Sequence, residues 1–196
     1  MPTGQERLPR ADSVRNRARI LAAAEQVFAE QGAAGSTEEV AARAGVAIGT
    51  VFRHFPTKTD LLSAIMKDLL QRLTDEVTAL NTTGDPATGL FTFFSHMVAQ
   101  AAAKKSVIEL LAAAGVDIQV SDQVLALQQA VQLLLDRARQ AGAVDESVGL
   151  PEVMALLISA CQGALHGGWD QQLQRRTLSI IFAGLHQPPT PDPPTL

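Results

Sequence analysis

The run Ile48-Gly-Thr-Val-Phe-Arg-His-Phe55 holds the residues best suited to chemistry with a partner. On a helix, Val51 and Phe55 face one way, while Gly49, Thr50 and Arg53 face the other. One side anchors the segment. The other offers bare backbone, a hydroxyl and a guanidinium, which suits the major groove of duplex DNA. Gly49 permits close backbone approach. Thr50 can bond a base edge or a phosphate, and its methyl can touch a thymine methyl. Phe52 and His54 flank the phosphate backbone. Lys58, in the first turn of the next helix, adds a phosphate contact together with that helix N-terminus. An ordinary structural hairpin has no need of an exposed Gly49-Thr50 pair beside Arg53, nor of Lys58 just beyond.

Little else is reactive. Cys161 is the single cysteine and has no partner for an intramolecular disulfide. It reads as a small buried hydrophobe in a reducing cytoplasm. His166, five residues on, points elsewhere, and no Glu-x-x-His pattern occurs. His166 and Asp170 could share a metal on one helix face, but two ligands without a third make a poor site, and His96 is isolated. No catalytic residue, metal or cofactor is expected. An enzyme on a helical bundle, or a helical interaction protein that ignores DNA, is the alternative.

These residues need short, well-terminated helices to hold them, and the composition supplies them. The chain has 196 residues, 46% of them hydrophobic and 18% charged, with abundant Ala, no Tyr and one Trp. Period-two alternation is missing, so an all-α fold of about nine helices is expected. Ser36-Thr-Glu-Glu39 is a capping box for a short helix that Gly45 ends. Val14, Ala18, Leu21, Ala24 and Phe28 mark a preceding helix over 13–31, with Ser13 as N-cap. Thr57 and Asp60 begin a long helix, and Asp85-Pro86 starts another. Further helices are expected over about 105–114, from Ser121-Asp122 to Gly142, from Leu150 to about Gly167, and from Gln171 to His186.

The net charge of −4 alone argues against nucleic acid, but its distribution does not. Residues 1–60 carry eight basic against seven acidic side chains, and Arg7 to Arg19 holds five Arg against Asp12 alone. Such an arm can neutralise phosphates on an otherwise acidic protein. No apolar run approaches the ~18 residues of a membrane span, and the polar N-terminus lacks a signal-peptide core, so a cytoplasmic location is expected.

Arg19-Ile-Leu-Ala-Ala-Ala, Val27-Phe28, Gly32, Ser36, Val40-Ala41, Ala44-Gly45-Val46, Gly49-Thr-Val-Phe-Arg-His-Phe55, Lys58 and Leu61-Leu62, in this order and spacing, resemble the N-terminal domain of the tetracycline-repressor (TetR) family. The resemblance covers about 13–62. It implies a homodimer whose first three helices bind an operator and whose remaining helices bind an effector and dimerise. Ser36, Thr37, Phe52, His54 and Lys58 would then meet phosphate, and Ile48, Gly49 and Thr50 the bases. Phe52 stands where the family usually has Tyr, which removes a phenolic hydroxyl. Ala47 stands where a capping Ser is common.

The implied organisation is a disordered basic arm over 1–12, a helix-turn-helix domain over 13–56, an effector and dimerisation domain over 57–187, and a disordered proline-rich tail over 188–196. The effector pocket among the central helices draws on Phe91, Phe94, Met97, Leu127, Met154, Ile158, Cys161, Gln162 and Trp169. That apolar lining suits a hydrophobic or aromatic molecule. Ala155, Ser159, Gly163 and Gly167 step by four and allow close helix approach. With Leu178, Ile181, Phe182 and Leu185 they form the expected dimer interface. The expected function is a ligand-responsive repressor on a palindromic operator.

Overall fold

The computed structural model describes residues 7–115 and 122–186. Among them the chain is all-α: α1 (Arg7–Gln31), α2 (Thr37–Ala44), α3 (Ile48–His54), α4 (Lys58–Thr83), α5 (Gly89–Ala103), α6 (Lys105–Ala113), α7 (Asp122–Gln140), α8 (Leu150–His166) and α9 (Gln171–His186). A 3-10 turn, Gly32–Ala34, follows α1. No described helix is long and apolar enough to cross a membrane.

Two compact units form. The first takes residues up to 69 and adds 104–118 from further along the chain. Here α1 packs on α2 and α6, and α2 on α3. Ile20, Ala24, Val27 and Phe28 of α1 are buried, as are Val40, Ala41 and Ala44 of α2, Val51 of α3 and Leu111 of α6. These positions recur at three- and four-residue steps, so each helix turns one apolar stripe inward. Polar ties complete the packing. Gln31 Nε2 donates to the Glu39 carboxylate, Arg43 pairs with Glu30 at 2.7 Å, and Lys104 pairs with Glu25.

The local stops are well made. Ser36 Oγ accepts from the Glu39 amide at 3.2 Å and begins α2. Gly45 ends it at φ +64°, a left-handed conformation that costs Gly little. The Val46 amide reaches back to the Ala41 carbonyl and the Gly45 amide to that of Ala42, the paired bonds of a Schellman motif. Thr57 and Asp60 cap α4 reciprocally, each side chain accepting from the other's amide at 3.0 Å.

The second unit spans 70–103 and 119–196, of which 70–103 and 122–186 are described. α5 is its centre, packing against α8, α7 and α9. Leu90, Phe93, Phe94 and Val98 of α5 are buried, with Leu134 and Leu135 of α7 and Val153, Leu157 and Ala160 of α8. Arg137 of α7 closes the end of α4, donating to the Leu80 carbonyl at 2.9 Å, to that of Asn81, and to that of Gly84 at 3.1 Å. The Leu80 carbonyl already accepts from the Gly84 amide at 3.0 Å, and the guanidinium adds a cation at the negative end of the helix dipole.

Several boundaries differ from expectation. α1 begins at Arg7, so Ser13 lies inside the helix rather than capping it, and 7–12 of the expected disordered arm are helical. Pro9 does not prevent this, because a proline in the first turn removes an amide with no helical acceptor. α5 begins at Gly89. Asp85 instead holds the turn before it, accepting from the Ala87 amide at 3.0 Å. α4 runs unbroken through 58–83, and the units share it rather than meeting at 56/57. Residues 1–6, Ser121 and the expected tail over 188–196 lie outside the described residues.

Candidate functional site

The seven-residue α3 stands on two anchors. Val51 and Phe55 are buried, and the Arg17 guanidinium of α1 lies 5.3 Å from the Phe55 ring centroid. Outward, Ile48, Gly49, Phe52 and Arg53 are exposed and Thr50 half-buried. A Cβ added at Gly49 would meet nothing within 4 Å, so this glycine is not required by its own fold. Ala47 precedes the helix in an extended conformation with no side-chain cap. The helix is short, weakly capped and polar only on its free face.

Thr37 and Ser36 lie half-buried at the start of α2. Ser36 Oγ is occupied as a cap acceptor, which leaves its hydroxyl proton and the first α2 amides available to an anion. Arg19 NH2 lies 3.5 Å from the Gly45 carbonyl in the turn between α2 and α3. Arg17 and Arg19, expected on phosphate, thus brace the helix-turn-helix from behind. Only contact geometry reveals this, since the sequence shows simply an Arg-rich run.

Two expected phosphate contacts are placed differently. Lys58 Nζ donates to the Ala33 carbonyl at 3.0 Å and the Gly35 carbonyl at 2.8 Å, and lies 5.2 Å from the Phe28 ring centroid. It closes the α1–α2 connection instead of pointing outward. His54 is half-buried, and its Nε2 is shielded from solvent with no hydrogen-bond partner among the described residues. Burial of the ring, and then the charges of Arg53 and Arg17, hold His54 below the ordinary histidine range. The imidazole is therefore neutral at physiological pH.

In the second unit an apolar cleft of about 210 Å³ opens between α5, α7 and α8. Six of the nine expected lining residues meet there: Met97, Leu127, Met154, Ile158, Cys161 and Gln162. Phe93, Val131 and Leu157 join them unannounced. The spacing contained a hint, since Phe93 and Met97, and Leu127 and Val131, are each one turn apart. Phe91, Phe93 and Phe94 nevertheless look alike in sequence. Phe94 instead meets Phe182 edge-on at 5.5 Å, and Phe91 lies 4.7 Å from the same ring. Burial pushes the Cys161 thiol up to about 11, so it is not an activated nucleophile.

Trp169 is also elsewhere. Its indole lies over Gly163 and Gly167: a Cβ at Gly163 would come 2.4 Å from the ring, and one at Gly167 2.9 Å. These two small residues, expected between subunits, already admit their own chain's tryptophan. Leu178 and Leu185 are buried within the chain, and Ile181 and Phe182 are half-buried. Ala155 and Ser159 remain exposed, alongside Leu156 and an Ile180 that is 74% exposed. His96 pairs with Glu76 at 2.6 Å and with Gln100 at 2.9 Å. Among the described residues, no three His, Cys, Asp or Glu side chains gather as a metal site.

Comparison with known proteins covers both units. Residues 20–65 match the family described as bacterial regulatory proteins, tetR family, and residues 85–187 match the SbtR-like transcriptional regulator C-terminal domain. The crystal structure of a TetR transcription regulatory protein from Mycobacterium vanbaalenii is 36% identical, covering 90% of this chain and 98% of that one, with a TM-score of 0.74. A TetR transcriptional regulator from Streptomyces coelicolor is 30% identical over 86% of this chain and 97% of that one, with a TM-score of 0.71. An HTH-type transcriptional repressor of Mycobacterium tuberculosis is 45% identical over 75 residues, which are 38% of this chain and only 36% of that repressor's length.

Proposed function

The chain belongs to the TetR family of bacterial transcriptional regulators, and from that premise we propose that it is a repressor that binds a palindromic operator as a homodimer and leaves it when a small apolar effector binds. The observation that carries the DNA reading is α3 itself, anchored by Val51 and Phe55 with Ile48, Gly49, Thr50 and Arg53 towards solvent. In a complex, Ile48, Gly49 and Thr50 approach base edges, and Arg53 meets a guanine edge or a phosphate. The α2 amides at Ser36 and Thr37 take a phosphate. Phe52 flanks the backbone by contact alone. Lys58 acts by holding the α1–α2 connection together.

The exposed Ala155, Leu156, Ser159 and Ile180 support pairing through α8 and α9. Two copies would then present recognition helices to major grooves about 34–36 Å apart. The cleft supports an effector, whose binding shifts the population away from the DNA-competent form.

A footprint on DNA flanking the chain's own gene tests the reading. Two protected half-sites related by a dyad are expected, with affinity falling steeply with salt. Protection without sequence preference would sink it. So would equal retention of an Arg53→Ala, Thr50→Ala double variant, which would favour the interaction protein.

A further inference from the structure

The cleft between α5, α7 and α8 has a definite chemistry, and reading it rests on the effector response proposed above. Its inner wall is Phe93, Leu127 and Leu157, all buried, and its mouth holds Ile158 and Gln162, both exposed. No Asp, Glu, Lys, Arg or His lines it. Three sulfur side chains, Met97, Met154 and Cys161, do. Thioethers are polarizable and adaptable, and they make favourable contacts with ring edges. A charged ligand would lose its water here with no counter-ion to replace it. Size narrows the choice further. An apolar cavity of about 150 Å³ holds benzene, while drug-sized ligands occupy pockets from about 300 Å³ upward. The cleft, at about 210 Å³, lies between. It accommodates roughly eight non-hydrogen atoms by that scaling, with a further polar group left at the mouth.

We propose that the cleft takes an uncharged molecule the size of one substituted ring, its apolar body against Phe93 and Met97 and a single polar group at the mouth on the Gln162 amide. Gln162 both donates and accepts, so an amide, hydroxyl or carbonyl matches it and a second polar group finds no partner on the inner wall. The Cys161 thiol, neutral through burial, adds no charge to the wall.

The test titrates the full chain with 4-methylbenzamide, with its anionic isostere 4-methylbenzoate, and with the longer biphenyl-4-carboxamide. Melting temperature reports binding, and retention on a DNA site selected for the chain is read separately. 4-Methylbenzamide should stabilise the protein and bind at least about tenfold more tightly than either other probe. Gln162→Leu, at an exposed position, should leave the unliganded melting point in place and weaken the amide about tenfold, the loss of one hydrogen bond. Equal or tighter binding of the benzoate or the biphenyl overturns the inference, as does no stabilisation by any probe, or unchanged amide affinity in Gln162→Leu. Binding of 4-methylbenzamide without loss of DNA retention leaves the cleft chemistry standing and removes the effector response. Release of DNA by the benzoate or the biphenyl, with 4-methylbenzamide inert, does the opposite.

Discussion

Lys58 Nζ sits between two carbonyl oxygens and the face of Phe28, and that position decides what a substitution there does. Lys58→Met should lower stability by about 2 kcal/mol, the scale of charge-assisted hydrogen bonds, and leave the salt slope of DNA affinity unchanged. Arg53→Ala should do the reverse, reducing the slope by about 0.9 if Arg53 meets a phosphate and costing little stability. Denaturant melts and binding at several salt concentrations separate the two. His54 gives a pH signature. Its folded pKa lies below the unfolded value, so the unfolded chain gains its proton first as pH falls. The stabilisation is present above about pH 6.5, the unfolded value, and is lost as pH drops through the lowered folded value. Urea midpoints from pH 7.5 downward should fall less steeply in His54→Gln than in the parent, and identical slopes would remove the effect. Sequence spacing marked α3's inward and outward faces. It did not separate an outward Lys58 from one curled onto Ala33 and Gly35, because a four-carbon stem reaches either way.

At the scale of elements, the stops were legible where the signal is local. Ser36, Gly45 and the Thr57–Asp60 pair act within three residues of the ends they set. The start of α1 was not, because Pro9 looks like a breaker until its place in the first turn is known. Gly163 and Gly167 were harder still. A small-residue stripe says that something comes close, not what. Here it is the indole of Trp169. Gly163→Ala should therefore cost about 1–3 kcal/mol, as forced overpacking does. Trp169 is the chain's single tryptophan, so its fluorescence should shift with the loss. A Trp169→Leu background should absorb most of the effect. An unaltered melt in Gly163→Ala would show that the indole moves aside freely.

For the whole molecule, the two units differ in what they leave uncovered. The first exposes the free face of α3, and the second exposes Leu156 and Ile180 on α8 and α9. Ile180→Glu replaces a side chain already 74% in solvent, so the single chain should keep its stability. A self-pairing surface should not tolerate the charge. Light scattering after size exclusion should give a dimer for the parent and a monomer for the variant, and an unchanged mass would move the interface elsewhere. The all-α class was legible because it is written in composition and period across every segment. The grouping of helices into units was not, because it depends on which distant stripes meet.

The first unit's discontinuity bears on how the chain is made. Leu111 of α6 is buried and α6 packs on α1, yet α2, α3 and the whole of α4 and α5 separate them in sequence. A ribosome releases the amino end first, at about 5–20 residues per second. α1, α2 and α3 are therefore exposed for several seconds with one flank of α1 bare, and that flank closes only when α6 emerges. A nascent chain stalled before residue 105 would carry its recognition helix without its full support.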